Sequence, residues 1–524
     1  MTPLGRGRRA SVLGRGRRAS VLGRERRASV LGRERRASVL GRERRASVLG
    51  RERRASVGAI SLGCPKNLVD TEVMLGLLQE AGFALVSDLS QADVLLVNTC
   101  CFIGPAREES AEALAEAASW RRSDEARVLI CAGCWPQDDP AALHEQFPEI
   151  DALIGPGDVP QIANVVEKAI DGAGSRRPAA SPSAYLYSDS DPRVRTTPPW
   201  SAYVKVAEGC NHRCRFCVIP RLRGRYRSRP LESIVAEVGR LAADGVKEIN
   251  LVAQDTTAYG RDLKGPDVAE LLSAVARVEQ VHWVRLLYAY PNRVTERVIE
   301  VMAREARICE YLDLPFQHAD GEVLRSMGRP GDGDEYLSLI ERLRKAMPEV
   351  AIRSTFLVGF PGENEQHFRR LLEFLEAAQL DRAGAFCYSP ERGTPAAEMP
   401  DQVSPQLARE RYHELMSLQQ GISRHRNRRW VGREMEVLVE GRAEPGGDWV
   451  GRSFRDAPEI DGTVRLTAGR APLQPGEFIR VAVTAAEPYD LVAKPVGGDA
   501  RSGRSAQSRI TRPSRKRSGR GRRP

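Results

Sequence analysis

A chain of 524 residues is too long for one ordinary core and predicts two to four domains, and its 41% hydrophobic content is enough to build them. No stretch approaches the roughly 18 apolar residues of a membrane span, so no membrane association is expected and a cytoplasmic protein is the default. The formal charge of +11 divides unevenly: residues 1–57 carry +14 and residues 496–524 carry +9, and removing both leaves −12 on an acidic body.

Residues 1–57 hold six copies of a nine-residue unit, from "LGRGRRASV" (4–12) to "LGRERRASV" (49–57). Each unit offers only Leu, Ala and Val for burial, which predicts disorder. Arg-Arg-Ala-Ser is compatible with a kinase site or a polyanion-binding arm, but the low complexity favours a translated minisatellite upstream of the true start. Next comes an α/β block, 58–172, with strands expected at 57–62, 93–98 and 127–132 and helices near 69–81 and 105–120. The Pro/Ser/Ala-rich stretch 173–199 reads as a linker.

A second block, 200–427, carries strands at 202–207, 247–253, 282–288, 311–315, 351–358 and 383–388 with helical patterns between them, the alternation of a partial βα barrel. It closes with a polar helix near 404–427. Short strands at 433–440, 448–454, 461–466, 477–484 and 490–494 then give 428–495 the rhythm of a small β-barrel. The last segment, 496–524, is a second disordered basic tail, suited equally to solvation or to contact with RNA.

Ten cysteines in a reducing compartment point to metal ligation, catalysis or burial rather than disulfides. "CNHRCRFC" places Cys210, Cys214 and Cys217 in a C-x3-C-x2-C loop after a strand. A structural zinc site closes with four ligands, and His212 is the nearest fourth. Three thiolates suit a four-iron cluster with one open iron, able to take a small chelating ligand. Three strand ends, "AISLGC", "LLVNTC" and "LICAGC", align Cys64, Cys100 and Cys134, and ligands of an open parallel sheet gather outside such ends. Cys101 falls out of step, because neighbours in an extended chain point to opposite faces. Cys131, Cys309 and Cys387 read as small buried residues.

The loop, including Phe216 before its third cysteine, resembles that of the radical S-adenosylmethionine superfamily. With the amino-terminal triplet and the terminal barrel, residues 58–495 resemble its methylthiotransferase family. "SLGCPKNLVDTE", "NTCCFI", "SRPLES", "AQDTTAYG" and "GRSFRDAPEIDG" are similar to the branch that modifies an aspartate of small-ribosomal-subunit protein twelve. The resemblance implies an amino-terminal open parallel sheet domain with an auxiliary 4Fe-4S cluster on Cys64, Cys100 and Cys134. It implies a central partial (βα) barrel with a 4Fe-4S cluster on Cys210, Cys214 and Cys217, and a carboxyl-terminal small β-barrel called TRAM. One S-adenosylmethionine methylates a sulfur at the auxiliary cluster; another yields a deoxyadenosyl radical that takes hydrogen from the aspartate β-carbon before methylthio transfer. Gln254, Gly359 and Glu363 are its expected cofactor contacts, with Asp255 and His318 similarly placed at strand ends. A reducing electron donor and a sulfur source are implied partners.

Two other functions stay open at this level: methylthiolation of transfer-RNA adenosine, and a non-catalytic iron–sulfur factor that grips the ribosome through its basic tails. Residues 428–495 carry 10 basic and 11 acidic side chains, too few positives for an RNA grip, and Asp456, Glu459 and Asp461 in one loop suggest a basic protein partner. The run "RLRGRYRSRP" (221–230) reads as a solvated charged face or a contact to acidic groups.

Overall fold

The computed structural model describes residues 55–496, apart from 179–180, 445 and 468–471, together with the backbone of Ala28–Ser29. Most of the repeat array and the basic segment 497–524 therefore lie outside the described residues, as does the disorder expected of them.

The first block is a parallel sheet. Its main strands are β1 (Ser56–Ser61), β2 (Val94–Thr99), β3 (Val128–Gly133) and β4 (Ala152–Ile154), hydrogen-bonded in that order. β2 and β3 are buried at every position, apolar except for Asn98 and Thr99 at the end of β2, because helices and neighbouring blocks cover both faces. Two-residue strands, Ala84–Leu85 and Ala28–Ser29, pair with the two ends of β1, which itself includes Ser56 and Val57 of the last repeat unit. Helix α1 (Pro65–Glu80) starts a turn earlier than the apolar periodicity suggested, because Pro65 at its first position presets the backbone. Helix α2 (Gly104–Arg122) follows β2, and the short α3 (Cys134–Asp138) follows β3.

The second block is a six-stranded sheet, all parallel and in chain order: β5 (Ser201–Lys205), β6 (Glu248–Val252), β7 (Trp283–Leu286), β8 (Ile308–Asp313), β9 (Ala351–Val358) and β10 (Arg382–Cys387). Every strand overlaps the position that the sequence pattern gave it, with β8 starting three residues earlier than the expected 311. The intervening helices pack Val, Leu, Ile and Phe against the convex face to make the largest core, and the short helix α4 (Ile219–Arg223) follows the second cysteine loop. The third block closes five strands, Glu434–Arg442, Trp449–Ser453, Val464–Leu466, Phe478–Ala486 and Leu491–Pro495, into a small barrel.

The described residues of 173–199 contain no helix or strand, yet they are not a loose tether. Arg193 reaches Glu72 at 2.5 Å and Glu237 at 2.8 Å, and Thr196 donates its backbone N–H to Glu72. Gly76 of α1 lets this strap lie flat: a Cβ there would stand 2.4 Å from the Pro192 carbonyl oxygen. The segment is thus bolted between the first two blocks by buried charge pairs that composition does not reveal.

The terminal barrel corrects the docking role expected of its acidic loop. Asp456 is buried and accepts from Arg382, while Asp461 accepts from the Tyr311 hydroxyl at 2.6 Å and lies 3.6 Å from Arg353. Arg455 pairs with Asp381, and Arg452 with Glu248. These charges seal the barrel onto the second block, so of the three acidic residues only the exposed Glu459 is left facing outward.

Candidate functional site

The parallel register carries Cys100 and Cys134 to the same level, because Leu95 pairs with Leu129 and Thr99 with Gly133. Cys64 is one residue out of step, since Gly58, not Ala59, pairs with Leu95. Gly63 absorbs the offset with φ +82 and packs directly on Cys100; a Cβ there would sit 2.5 Å from the Cys100 Cβ and 2.9 Å from its Sγ. Cys64 is thereby delivered as the N-cap of α1, where exposed backbone N–H groups favour negative charge. Burial pushes the Cys134 thiol up, and Arg223 beside it offsets part of that rise.

Cys101 is fully buried in a core cluster with Leu62, Cys131 and Trp135, and burial raises its thiol strongly. Cys100→Ala is therefore expected to lose the iron of the first triplet, whereas Cys101→Ala keeps it at a stability cost of about 1 kcal/mol. Iron analysis with thermal unfolding of the two variants checks this; loss of iron in Cys101→Ala reverses the assignment.

The second triplet lies in a loop at the carboxyl end of β5. Backbone bonds hold it: Cys210 N–H donates to Gly224 O at 3.1 Å, Arg215 N–H to Met327 O at 2.9 Å, and Cys217 N–H to Cys214 O at 3.1 Å. Phe216 packs against the second core with its ring edge-on to Phe360. His212 stacks on Tyr290 at 3.9 Å and its Nε2 sits 2.7 Å from Asp255, which also takes Arg293. Burial pushes the Cys210 thiol up to about 11 and raises Cys217 further.

A buried polar seam joins the two triplets. Arg223, six residues after Cys217, donates to Cys134 Sγ at 3.4 Å, to Asn67 Oδ1 at 2.9 Å and to Asp70 at 2.5 Å. Lys205 bridges Asp70 and Glu208. Burial alone would raise the Glu208 carboxyl, but Lys205 and Arg223 outweigh it and hold it at about 2. Gln254 Nε2 donates to Glu208 at 2.6 Å, while its Oε1 is buried without a partner beside the second cysteine loop. An orphaned acceptor there suits the donor group of a bound ligand.

Gly359 and Glu363 are spent differently. Glu363 accepts the Gly359 N–H and Arg411 Nη1, with its carboxyl held below the usual range despite burial. The pair therefore ties the β9 turn to the helix Pro405–Arg428. His318 is fully buried, accepts the Asp320 N–H on Nδ1 and lies 3.5 Å from Glu363. Sequence reasoning missed Lys205 and Glu208, and it left 221–230 open between a solvated face and a contact to acidic groups; Arg223 and Arg229 are buried against carboxylates. The alternation of exposed Arg221 and Arg225 with buried Arg223 was the only signal, and it is unreadable without the partners.

Among the described residues no three Cys, His, Asp or Glu side chains are gathered around one metal ion. All ten cysteines are free. Two sets of three free thiols match the donor set of a four-iron cluster that keeps one iron open, whereas a structural zinc site closes with four ligands.

Family models match three stretches: radical SAM superfamily (204–375), uncharacterized protein family UPF0004 (56–155) and TRAM domain (431–496). The ribosomal protein uS12 methylthiotransferase RimO of Desulforamulus reducens is 48% identical over 440 residues, 84% of this chain and 99% of that protein. Its counterpart in Geobacter sulfurreducens is 45% identical over 84% of this chain and 98% of that protein. The chain belongs to the RimO family. RimO proteins are radical SAM methylthiotransferases, and S-adenosylmethionine and iron–sulfur clusters are the cofactors of this chain. A radical S-adenosylmethionine methyltransferase, TsrM of Kitasatospora setae, is similar at TM-score 0.48 and 17% identity over 65% of this chain and 74% of that one. No helix among the described residues of this RimO chain is long and apolar enough to cross a membrane.

Proposed function

We propose that this chain transfers a methylthio group to the β-carbon of an aspartate in ribosomal protein uS12, in the cytoplasm. Cys64, Cys100 and Cys134 hold one 4Fe-4S cluster and Cys210, Cys214 and Cys217 the other, and Gln254 contacts S-adenosylmethionine. The observation that carries this reading is the seam: Arg223, from the segment after the second triplet, touches Cys134 of the first, so two thiol sets at two sheet ends form one site. The 48% identical relative named for uS12 supports the substrate.

When bound, the clusters and S-adenosylmethionine supply one-electron reduction, hydrogen abstraction, a methyl group and a sulfur to carry it. The protein's part is to hold and dry the site. Arg223 and Lys205 balance Asp70 and Glu208 without solvent, and α1 directs its N-terminus at Cys64. Electrons and sulfur come from external donors, and the basic segments 1–57 and 496–524 add contact to ribosomal RNA, a contribution that weakens with salt.

Mass spectrometry of uS12 and of digested transfer RNA from a deletion strain tests this. The methylthio group is expected to vanish from uS12 and to return with the wild-type gene. Loss from transfer RNA with uS12 unchanged defeats the proposal.

A further inference from the structure

Ten Lys and Arg residues are buried among the described residues, and eight of them lie within 4 Å of a carboxylate. The other two, Lys66 and Arg329, each stand beside one cysteine triplet. Arg329 has a sulfur for company, with Nη1 3.8 Å from Cys214 Sγ, and it also donates to the Pro315 carbonyl. Lys66 has neither a carboxylate nor a sulfur hydrogen bond; its Nζ lies 3.3 Å from the centre of the Tyr288 ring. A ring face attracts an ammonium but does not neutralise it; beside it only the Cys64 sulfur and the Tyr288 hydroxyl favour the charge, and in the proposed reading Cys64 is spent on its cluster, so the buried cation lacks a carboxylate of its own.

The position of Lys66 shows where its missing anion comes from. It lies in the first turn of α1, two residues after Cys64. Tyr288 lies at the carboxyl end of β7 with φ +59, a conformation rarely taken by a bulky residue and found where function repays the strain. Its backbone is pinned on both sides: its carbonyl accepts from Thr256 N–H at 3.0 Å and its N–H donates to Asp313 at 3.2 Å. Two residues on, Tyr290 stacks on His212 of the second cysteine loop. Lys66 and its ring platform thus stand on the line of contacts that runs from Cys64 to the second triplet.

We infer that Lys66 receives the side-chain carboxylate of the substrate aspartate. This rests on the function proposed above and names the group that selects its substrate. The β-carbon is bonded directly to that carboxylate, so fixing the carboxylate on Lys66 fixes the reacting carbon between the two triplets. Lys66 forms no covalent bond; it supplies charge and position. A neutral amide in place of the carboxylate leaves the ammonium unpaired, which is how a buried polar site rejects the wrong ligand.

The test uses the full chain with its clusters reconstituted and S-adenosylmethionine bound, without reductant, so that no turnover occurs. Binding of uS12 is compared with binding of uS12 carrying Asn in place of the target aspartate. Wild-type enzyme is expected to prefer the aspartate form by about tenfold or more, Lys66→Met to bind both within about twofold, and Lys66→Arg to recover part of the preference. Iron content and the resonance spectrum of the reduced clusters stay as in wild type in all three. A wild-type chain without preference overturns the inference, whether or not the variants fold. So does a Lys66→Met chain that keeps the preference, or one that loses it only together with the iron of the first triplet, since Lys66 then serves the cluster. Failure of the functional reading is separate: wild-type enzyme leaves uS12 unmodified under reducing conditions.

Discussion

A chain carrying Cys210→Ala, Cys214→Ala and Cys217→Ala is expected to lose reductive cleavage of S-adenosylmethionine by at least ~1,000-fold while keeping its fold and about half its iron. The loop that holds these cysteines does not depend on their side chains for shape. It is clamped by backbone bonds from Cys210 to Gly224 and from Arg215 to Met327, and by Asn211, whose Oδ1 accepts the Tyr226 N–H at 3.1 Å. Phe216 keeps its place against the second core. The first triplet stands on other elements, β1, β2 and β3, and its contact from this region comes through Arg223, which the substitutions leave in place. Chromatographic assay of deoxyadenosine, iron analysis and circular dichroism together give the answer. Cleavage at the wild-type rate in this variant removes the second triplet from the mechanism.

Glu248→Ala is expected to destabilise the iron-free chain by about 3–5 kcal/mol. Glu248 is fully buried; it accepts from Arg452 at 2.7 and 2.9 Å, from Arg285 at 3.2 Å and from Ser201 at 2.8 Å. Truncation strands the buried Arg285 guanidinium and leaves Arg452 with Glu440 alone, at the junction of the second block and the terminal barrel. Arg452→Met is expected to cost less, because Arg285 remains as the partner of Glu248. The same group gives a pH signature. Burial alone would raise its carboxyl from 4.5, but Arg452 and Arg285 outweigh burial and hold it at about 2. A lowered folded pKa means that its contribution is complete above the unfolded value and drains away as pH falls from about 4.5 towards 2. That span is worth about 3 kcal/mol. Thermal midpoints measured across this window should fall more steeply in wild type than in Glu248→Gln; parallel curves exclude the group as the source.

The methylthiotransferase architecture was legible because strand cores speak through composition. β3 and the first four residues of β2 are apolar, β5 to β10 recur at helix-length intervals, and the short strands of the last block keep an even spacing. The cysteine sets were legible for the same reason: each follows a strand that can be counted. What counting got wrong is instructive. The aligned ends suggested that Cys64, Cys100 and Cys134 share one register, whereas β1 is offset by a residue and a left-handed glycine restores the approach. The acidic loop of the terminal barrel looked like a docking surface until its charges proved to be paired with Arg382 and Arg353.

By itself the sequence determined the three blocks and singled out six cysteines for proposal, Cys100 rather than Cys101 among them, because periodicity and spacing are local properties of a chain. Only the tertiary structure decided which charges are spent and which wait. Arg223, Glu248 and Lys66 are equally ordinary letters in a row of charged residues. Their partners lie far away in sequence, at Asp70 and Cys134, at Arg452, and over the ring of Tyr288. Burial turns such pairings into strong constraints, since a charge removed from water must find its counterpart in the fold or in the ligand.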